Sequence, residues 1–173
     1  MLRGSAMNNV AGESGVYAVR SDFCVRGRVA QTVIRYVTTF QLRAIGRVES
    51  PLTNLDSAPR QPDEGAPAAW LVFEPEVREA LASVRPGDAI VVLTWLDRAQ
   101  RDVLSVHPRG DEARPMEGVF STRSPHRPNP IGLHRVHVTA VEGLRVQVDR
   151  LEAVDGTPIV DVKPVLKEEI GLR

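Results

Sequence analysis

A single cysteine, Cys24, stands among 173 residues, so no disulfide can form within the chain. That suits a reducing cytoplasm, where free thiols persist. No apolar run approaches the roughly 18 residues of a helical membrane span. The N-terminus lacks the apolar core, roughly 7–15 residues long, of a secretory signal. Charge of one sign is missing as well, because 22 basic residues face 22 acidic ones. A protein that grips nucleic acid chiefly through phosphates is expected to be basic. Any RNA contact here must therefore come from a local patch or from a tight base pocket.

Several chemistries lack their usual residues. Neither GxGxxG nor GxxxxGKS/T occurs, which argues against a Rossmann-type cofactor domain or a triphosphate loop. Ser121 and Ser124 flank Arg123 outside any GxSxG pattern, and a serine in a proline-rich loop more often supports a turn. The histidines are His107, His126, His134 and His137. His134 and His137 are three apart on an expected strand and so point to opposite faces. With the one cysteine far away, no metal site is expected. No internal repeat is found.

What is present is ordinary for a globular domain: 42% apolar and 25% charged residues. A domain of this length buries roughly 70% of its extended surface and needs no cross-link to fold. The two ends differ in charge. Residues 1–38 hold Arg3, Arg20, Arg26, Arg28 and Arg35 against Glu13 and Asp22, a net +3, so residues 39–173 carry a net −3. The first 38 residues are polar, small and aperiodic at their start, and are expected to be a weakly ordered extension. TTFQLRAIGRVES, just after Val37, reads as a natural beginning. A GTG codon encodes valine and can also initiate, so Val37 is a candidate start, and mass spectrometry of the native N-terminus decides it. Residues 39–166 are expected to form the domain and residues 167–173 a tail.

Within the domain the pattern is mostly β. Strands are expected at 39–48, 68–74, 89–96, 102–108, 133–141, 144–154 and 159–166. AIVVLTWL (89–96) is nearly all apolar and reads as buried on both faces. One helix is expected at 75–84, with Pro75 at its first position and Val77, Ala80, Leu81 and Val84 on one face. Glu142-Gly143 reads as a hairpin turn and DGTP (155–158) as a second turn. Helices do not alternate with strands, so a single mainly β, antiparallel, barrel-like domain with one short helix is expected rather than a doubly wound sheet.

Two segments stand out. GVFSTRSPHRPNPIGLHRV (118–136) packs Pro125, Pro128 and Pro130 with Arg123, Arg127 and Arg135 into one stretch. Prolines exclude helix and central strand, which leaves a stiff charged loop between sheet elements. Such a loop can hold a guanidinium fork for a carboxylate or phosphate. Equally, its prolines can simply stop edge pairing while its arginines stay solvated. DGTP is open in the same way, a turn first and a ligand site only with support.

Together these segments resemble the TsaA-like domain family, whose characterised members are S-adenosylmethionine-dependent tRNA N6-adenine methyltransferases. GVFSTRSPHRPNPIGL (118–133) and LEAVDGTPIVDVKP (151–164) carry the resemblance. AIGRVESPL (44–52), PRQP (59–62) and TWLDR (94–98) support it, and the resemblance extends over roughly residues 39–166. The resemblance implies a non-Rossmann β barrel, a homodimer with the cofactor pocket near the subunit boundary, and methyl transfer to N6 of threonylcarbamoyl-adenosine beside the tRNA anticodon. Carried over by position, the S-adenosylmethionine pocket comprises Pro59, Arg60, Gln61, Leu96, Asp97, Arg123, Leu133, Asp155, Gly156 and Thr157. Asp155 is the candidate base. Arg109, Arg114, Arg127 and Arg135 are the candidate RNA rim around the pocket, a small patch on a near-neutral domain.

The chain departs from the family pattern in three places. Leu96-Asp97 stands where a histidine is common, Glu152 stands where Asp is frequent, and the longer members' C-terminal domain has no counterpart before Arg173. Two alternatives therefore stay open: a methyltransferase acting on a small molecule, and a cofactor-binding module without catalysis.

Overall fold

The computed structural model describes residues 16–21, 33–38, 40–56 and 58–166. The chain divides into two compact units, Met1–Leu42 and Arg43–Arg173. In the first, β1 (Val16–Ser21) pairs antiparallel with β2 (Val33–Thr38), Val16 opposite Thr38. The remainder of the expected weakly ordered extension, and the tail 167–173, lie outside the described residues.

The second unit is a closed antiparallel barrel of six strands in the order β10-β3-β4-β9-β8-β5. Its members are β3 (Gly46–Glu49), β4 (Ala69–Phe73), β5 (Ala89–Trp95), β8 (Ile131–Glu142), β9 (Arg145–Val148) and β10 (Pro158–Pro164). A two-stranded ribbon, β6 (Ser105–Val106) with β7 (Glu117–Gly118), branches from it. The core follows from two-residue alternation. Inward positions place Val48, Leu71, Phe73, Ile90, Val92, Val136, Val138, Val146, Val148 and Ile159 in one cluster, joined by Leu151 and Ala153. Burying each such aliphatic side chain is worth about 1.5–3 kcal/mol.

Several expectations shift. The strand foreseen at 39–48 pairs only from Gly46, where a Cβ would lie 2.4 Å from the Val72 carbonyl oxygen. Ladder pairing there needs a residue without a side chain. The expected helix winds as 3-10 turns over Pro75–Leu81, with Pro75 at its start and Val77, Leu81 and Val84 against the core. Ala80 is exposed instead of sharing that face.

β5 is not buried on both faces. Thr94, Val92 and Ile90 point inward, whereas Val91, Leu93 and Trp95 are only half-buried on the outer wall. A barrel strand has one interior face, and among the described residues nothing fully covers the other. The strand foreseen at 102–108 shrinks to β6, and that at 144–154 ends at Val148. Beyond it Arg150 takes φ 39°, and Leu151 and Ala153 tuck into the core without pairing.

Strand register sets where the connections emerge. Trp95 faces Ile131, Thr94 faces Ile159, Arg47 faces Pro158, and Glu49 faces Trp70. The connections 50–68, 96–130 and 149–157 therefore leave from one end of the barrel. The opposite end carries the 3-10 segment and the tight Gly143–Leu144 turn between β8 and β9.

Candidate functional site

The three connections at the common end are stitched to one another. Asp155 N–H donates to Leu52 O at 2.7 Å, and Asp155 Oδ1 accepts Ser50 N–H at 3.1 Å. Leu151 N–H donates to Pro67 O at 2.9 Å. The Arg98 guanidinium reaches Asp155 O at 3.5 Å, and Arg60 donates to Arg109 O. At the base of the long excursion, Leu96 N–H meets Pro130 O at 2.8 Å. Sequence-distant segments are thus held as one surface, the placement that rigid scaffolds give to functional loops.

The proline loop is stiff for a reason beyond proline. Thr122 Oγ1 accepts Ser124 N–H, Ser124 Oγ accepts His126 N–H, and His126 Nδ1 accepts Gln100 N–H at 3.1 Å. An accepting Nδ1 leaves the ring proton on Nε2. Arg127 closes the loop from inside, donating to Ser124 O at 2.8 Å, Thr122 O at 2.7 Å and Val119 O at 3.2 Å. Arg123, in the same loop, is exposed and has no hydrogen bond or ion pair among the described residues. Of two arginines four residues apart, one staples the loop and the other is free to meet a ligand.

The remaining candidate residues sort as follows. Pro59 and Gln61 are half-buried, Arg60 is exposed, and Gln61 precedes the 3-10 turn Pro62–Glu64. Leu96 is half-buried and Asp97 exposed, just past β5. Asp155 and Gly156 form the turn itself. Gly156 has φ 80°, a conformation that favours glycine, and Thr157 is buried with its hydroxyl on Val154 O at 2.7 Å. These all belong to the stitched end.

Leu133 does not. It is 50% exposed on the outer wall of β8, beside an open apolar groove formed with Val91, Leu93, Val162 and Leu166. The four candidate RNA arginines differ in what they already hold. Arg127 is consumed inside its loop, Arg114 pairs with Asp111 at 3.3 Å, Arg109 sits at φ 60° on the excursion, and Arg135 faces out from β8.

The sequence reading missed a buried polar chain beneath this end. His134 is 5% exposed and Thr94 fully buried. His134 Nδ1 lies 2.8 Å from Glu152 Oε1, and Nε2 lies 2.9 Å from Thr94 Oγ1. A carboxylate only accepts, so Nδ1 carries a proton, and in the neutral ring Nε2 takes the threonine hydroxyl. Glu152 Oε2 is buried without a partner among the described residues. The chain ties β5 and β8 to the connection that ends in the Asp155 turn. Its signal was the inward parity that His134 shares with Val136 and Val138. The same parity sends His137 outward, where it meets Asp149. Among the described residues, no three His, Cys, Asp or Glu side chains gather as a metal-holding group.

Residues 47–169 match the family described as tRNA-methyltransferase O N-terminal domain. A probable S-adenosyl-L-methionine-binding protein of Archaeoglobus fulgidus is 43% identical over 124 residues, 72% of this chain and 33% of that protein. A second S-adenosyl-L-methionine-binding protein of the same organism is 41% identical, covering 70% of this chain and 86% of its own. A crystal structure of TrmO from Pseudomonas aeruginosa superposes with TM-score 0.62 at 28% identity, covering 78% of this chain and 59% of that one. The chain thus spans a third of the first relative's length and about three-fifths of the solved structure's.

Proposed function

The chain belongs to the tRNA-methyltransferase O N-terminal domain family, and from this we propose that it is a cytoplasmic enzyme that binds S-adenosylmethionine and methylates N6 of threonylcarbamoyl-adenosine beside the tRNA anticodon. The observation that carries the reading is the stitched barrel end, with Arg123 unpaired on a loop that Arg127 stiffens. The residues fit the donor's groups. A free guanidinium suits a carboxylate through paired hydrogen bonds. The exposed Asp97 suits an ammonium, and Gln61, whose side chain has no partner among the described residues, suits a purine edge.

When bound, S-adenosylmethionine supplies an electrophilic methyl on a sulfonium. The chain therefore needs no nucleophile of its own. Its residues hold donor and acceptor in line, and orientation within about 3–3.5 Å is worth roughly 7–11 kcal/mol. Leu96 on one side and Leu133 on the other are the apolar walls that exclude water. Asp155, held through Ser50 and Leu52, is the acceptor's base and takes the N6 proton. An anticodon-loop base is partly exposed already, so bringing it into the site costs less than opening a duplex. Arg109, Arg114 and Arg135 serve as phosphate contacts, and Arg127 serves through the loop it shapes. The groove around Leu133 is the dimer face, which brings that residue beside a partner's pocket.

A second reading, methyl transfer to a small molecule, is favoured by the net −3 of residues 39–173. Calorimetry with S-adenosylmethionine on wild type and Arg123→Ala tests the core of both. Binding that is lost in the variant supports the pocket, and labelled-donor transfer to total tRNA or to small metabolites then separates the acceptors. No binding by the wild type refutes the donor.

A further inference from the structure

Phe120 is 82% exposed, although its neighbour Val119 is only 2% exposed. The turn between them is not loose. Val119 N–H donates to Leu104 O at 3.0 Å, and Val119 O accepts from Thr122 N–H, the Thr122 hydroxyl and the Arg127 guanidinium. Buried on one side and held by four hydrogen bonds, the 3-10 turn Val119–Ser121 presents the phenylalanine ring outward from a fixed backbone. Leu104, whose carbonyl takes the Val119 N–H, is a second exposed apolar residue of this ribbon, at 67% exposure. Three residues on stands Arg123, the unpaired guanidinium.

An aromatic ring presented from a hydrogen-bonded turn, three residues before an exposed arginine, on the 96–130 connection that leaves the end of the barrel where the methyl-donor site is read, fits one ligand chemistry well. A flat heteroaromatic ring stacks on the phenylalanine, while an anionic group attached to it meets the arginine. We propose that Phe120 is the stacking surface for an adenine ring. The inference rests on the methyl-donor reading above, in which both donor and acceptor carry adenine. Stacking needs no base-edge code, so the ring alone does not distinguish the two sources, and the experiment does.

Phe120→Ala is compared with wild type in two arms: calorimetry with S-adenosylhomocysteine, and fluorescence anisotropy with an RNA anticodon stem-loop bearing adenine 3′ to the anticodon. The ring is exposed, so the variant is expected to keep the wild-type thermal midpoint. Affinity is expected to fall on the order of 10-fold in one arm and to return in Phe120→Trp. A fall in the first arm identifies the donor's adenine, and a fall in the second the acceptor's. Unchanged affinity in both arms, against a wild type that binds, overturns this inference alone. A shift of Phe120→Ala to a smaller species in sedimentation also overturns it, because a second copy then covers the ring. A wild type that binds neither ligand overturns the methyl-donor reading along with it.

Discussion

Gly132→Ala adds one methyl group to the barrel and should cost far more than a methyl normally does. A Cβ at Gly132 would lie 2.3 Å from Thr94 Oγ1, 2.6 Å from His134 Nε2 and 3.2 Å from Leu96 Cδ2. The first two atoms are the partners of the buried 2.9 Å hydrogen bond. Neither is the free end of a flexible chain, because His134 is pinned at its other nitrogen by Glu152 and Thr94 is fully buried. Overpacking a well-filled core costs about 1–3 kcal/mol. Breaking the bond and leaving a buried partner unsatisfied costs about 1–3 kcal/mol more. The two overlap, so a loss of about 3 kcal/mol is expected, a fall of roughly 6–12 °C in Tm for a protein of this size.

Urea unfolding of Gly132→Ala, Thr94→Ala and the double variant measures it. Removing the Thr94 hydroxyl relieves the closest clash, so the double variant should be more stable than the two single losses added together. A single Gly132→Ala variant within 0.5 kcal/mol of wild type refutes the reasoning. So does strict additivity, since it would mean that the methyl never meets the hydroxyl.

Two further outcomes follow from the same contacts. Arg127→Ala removes the guanidinium from three carbonyls. Bonds to charged groups are worth about 1.5–3 kcal/mol each and do not add fully, so a loss of about 2 kcal/mol by urea titration is expected. Faster amide exchange should be confined to residues 119–127, and exchange unchanged there would refute the staple. Burial pushes the Asp149 carboxyl up, but the His137 backbone N–H, the His137 ring and Arg150 outweigh it and hold the group below its ordinary 3.8. A depressed folded value contributes stability that is complete above about 3.8 and disappears as pH falls through the folded value. Asp149→Asn should therefore show a shallower acid loss of Tm than wild type below pH 4, and parallel curves would refute the pairing.

How much of this was legible beforehand differs from segment to segment. The β character of 89–95 and 131–142 could be read because alternation and β-branched runs are local signals, and Pro75 and Gly156 marked a helical start and a turn by constraints on their own backbone. The apolar run of β5 misled about its burial. Side chains report hydrophobicity, whereas coverage of an outer wall depends on what packs there. Arg123 and Arg127 look alike in sequence. Which one turns inward depends on the carbonyls of Val119, Thr122 and Ser124 being folded into reach.

The residues by themselves determined that the chain is a mainly β domain with a stiff proline-arginine loop and an Asp-Gly turn, because periodicity and backbone restriction act within a few positions. Only the tertiary structure decided that residues 50–68, 96–130 and 149–157 leave one end of a closed barrel, since strand register joins residues far apart in sequence. It alone decided that Thr94, His134 and Glu152 meet beneath that end, because the contact needs three inward side chains from separate segments, and no local pattern encodes their distance.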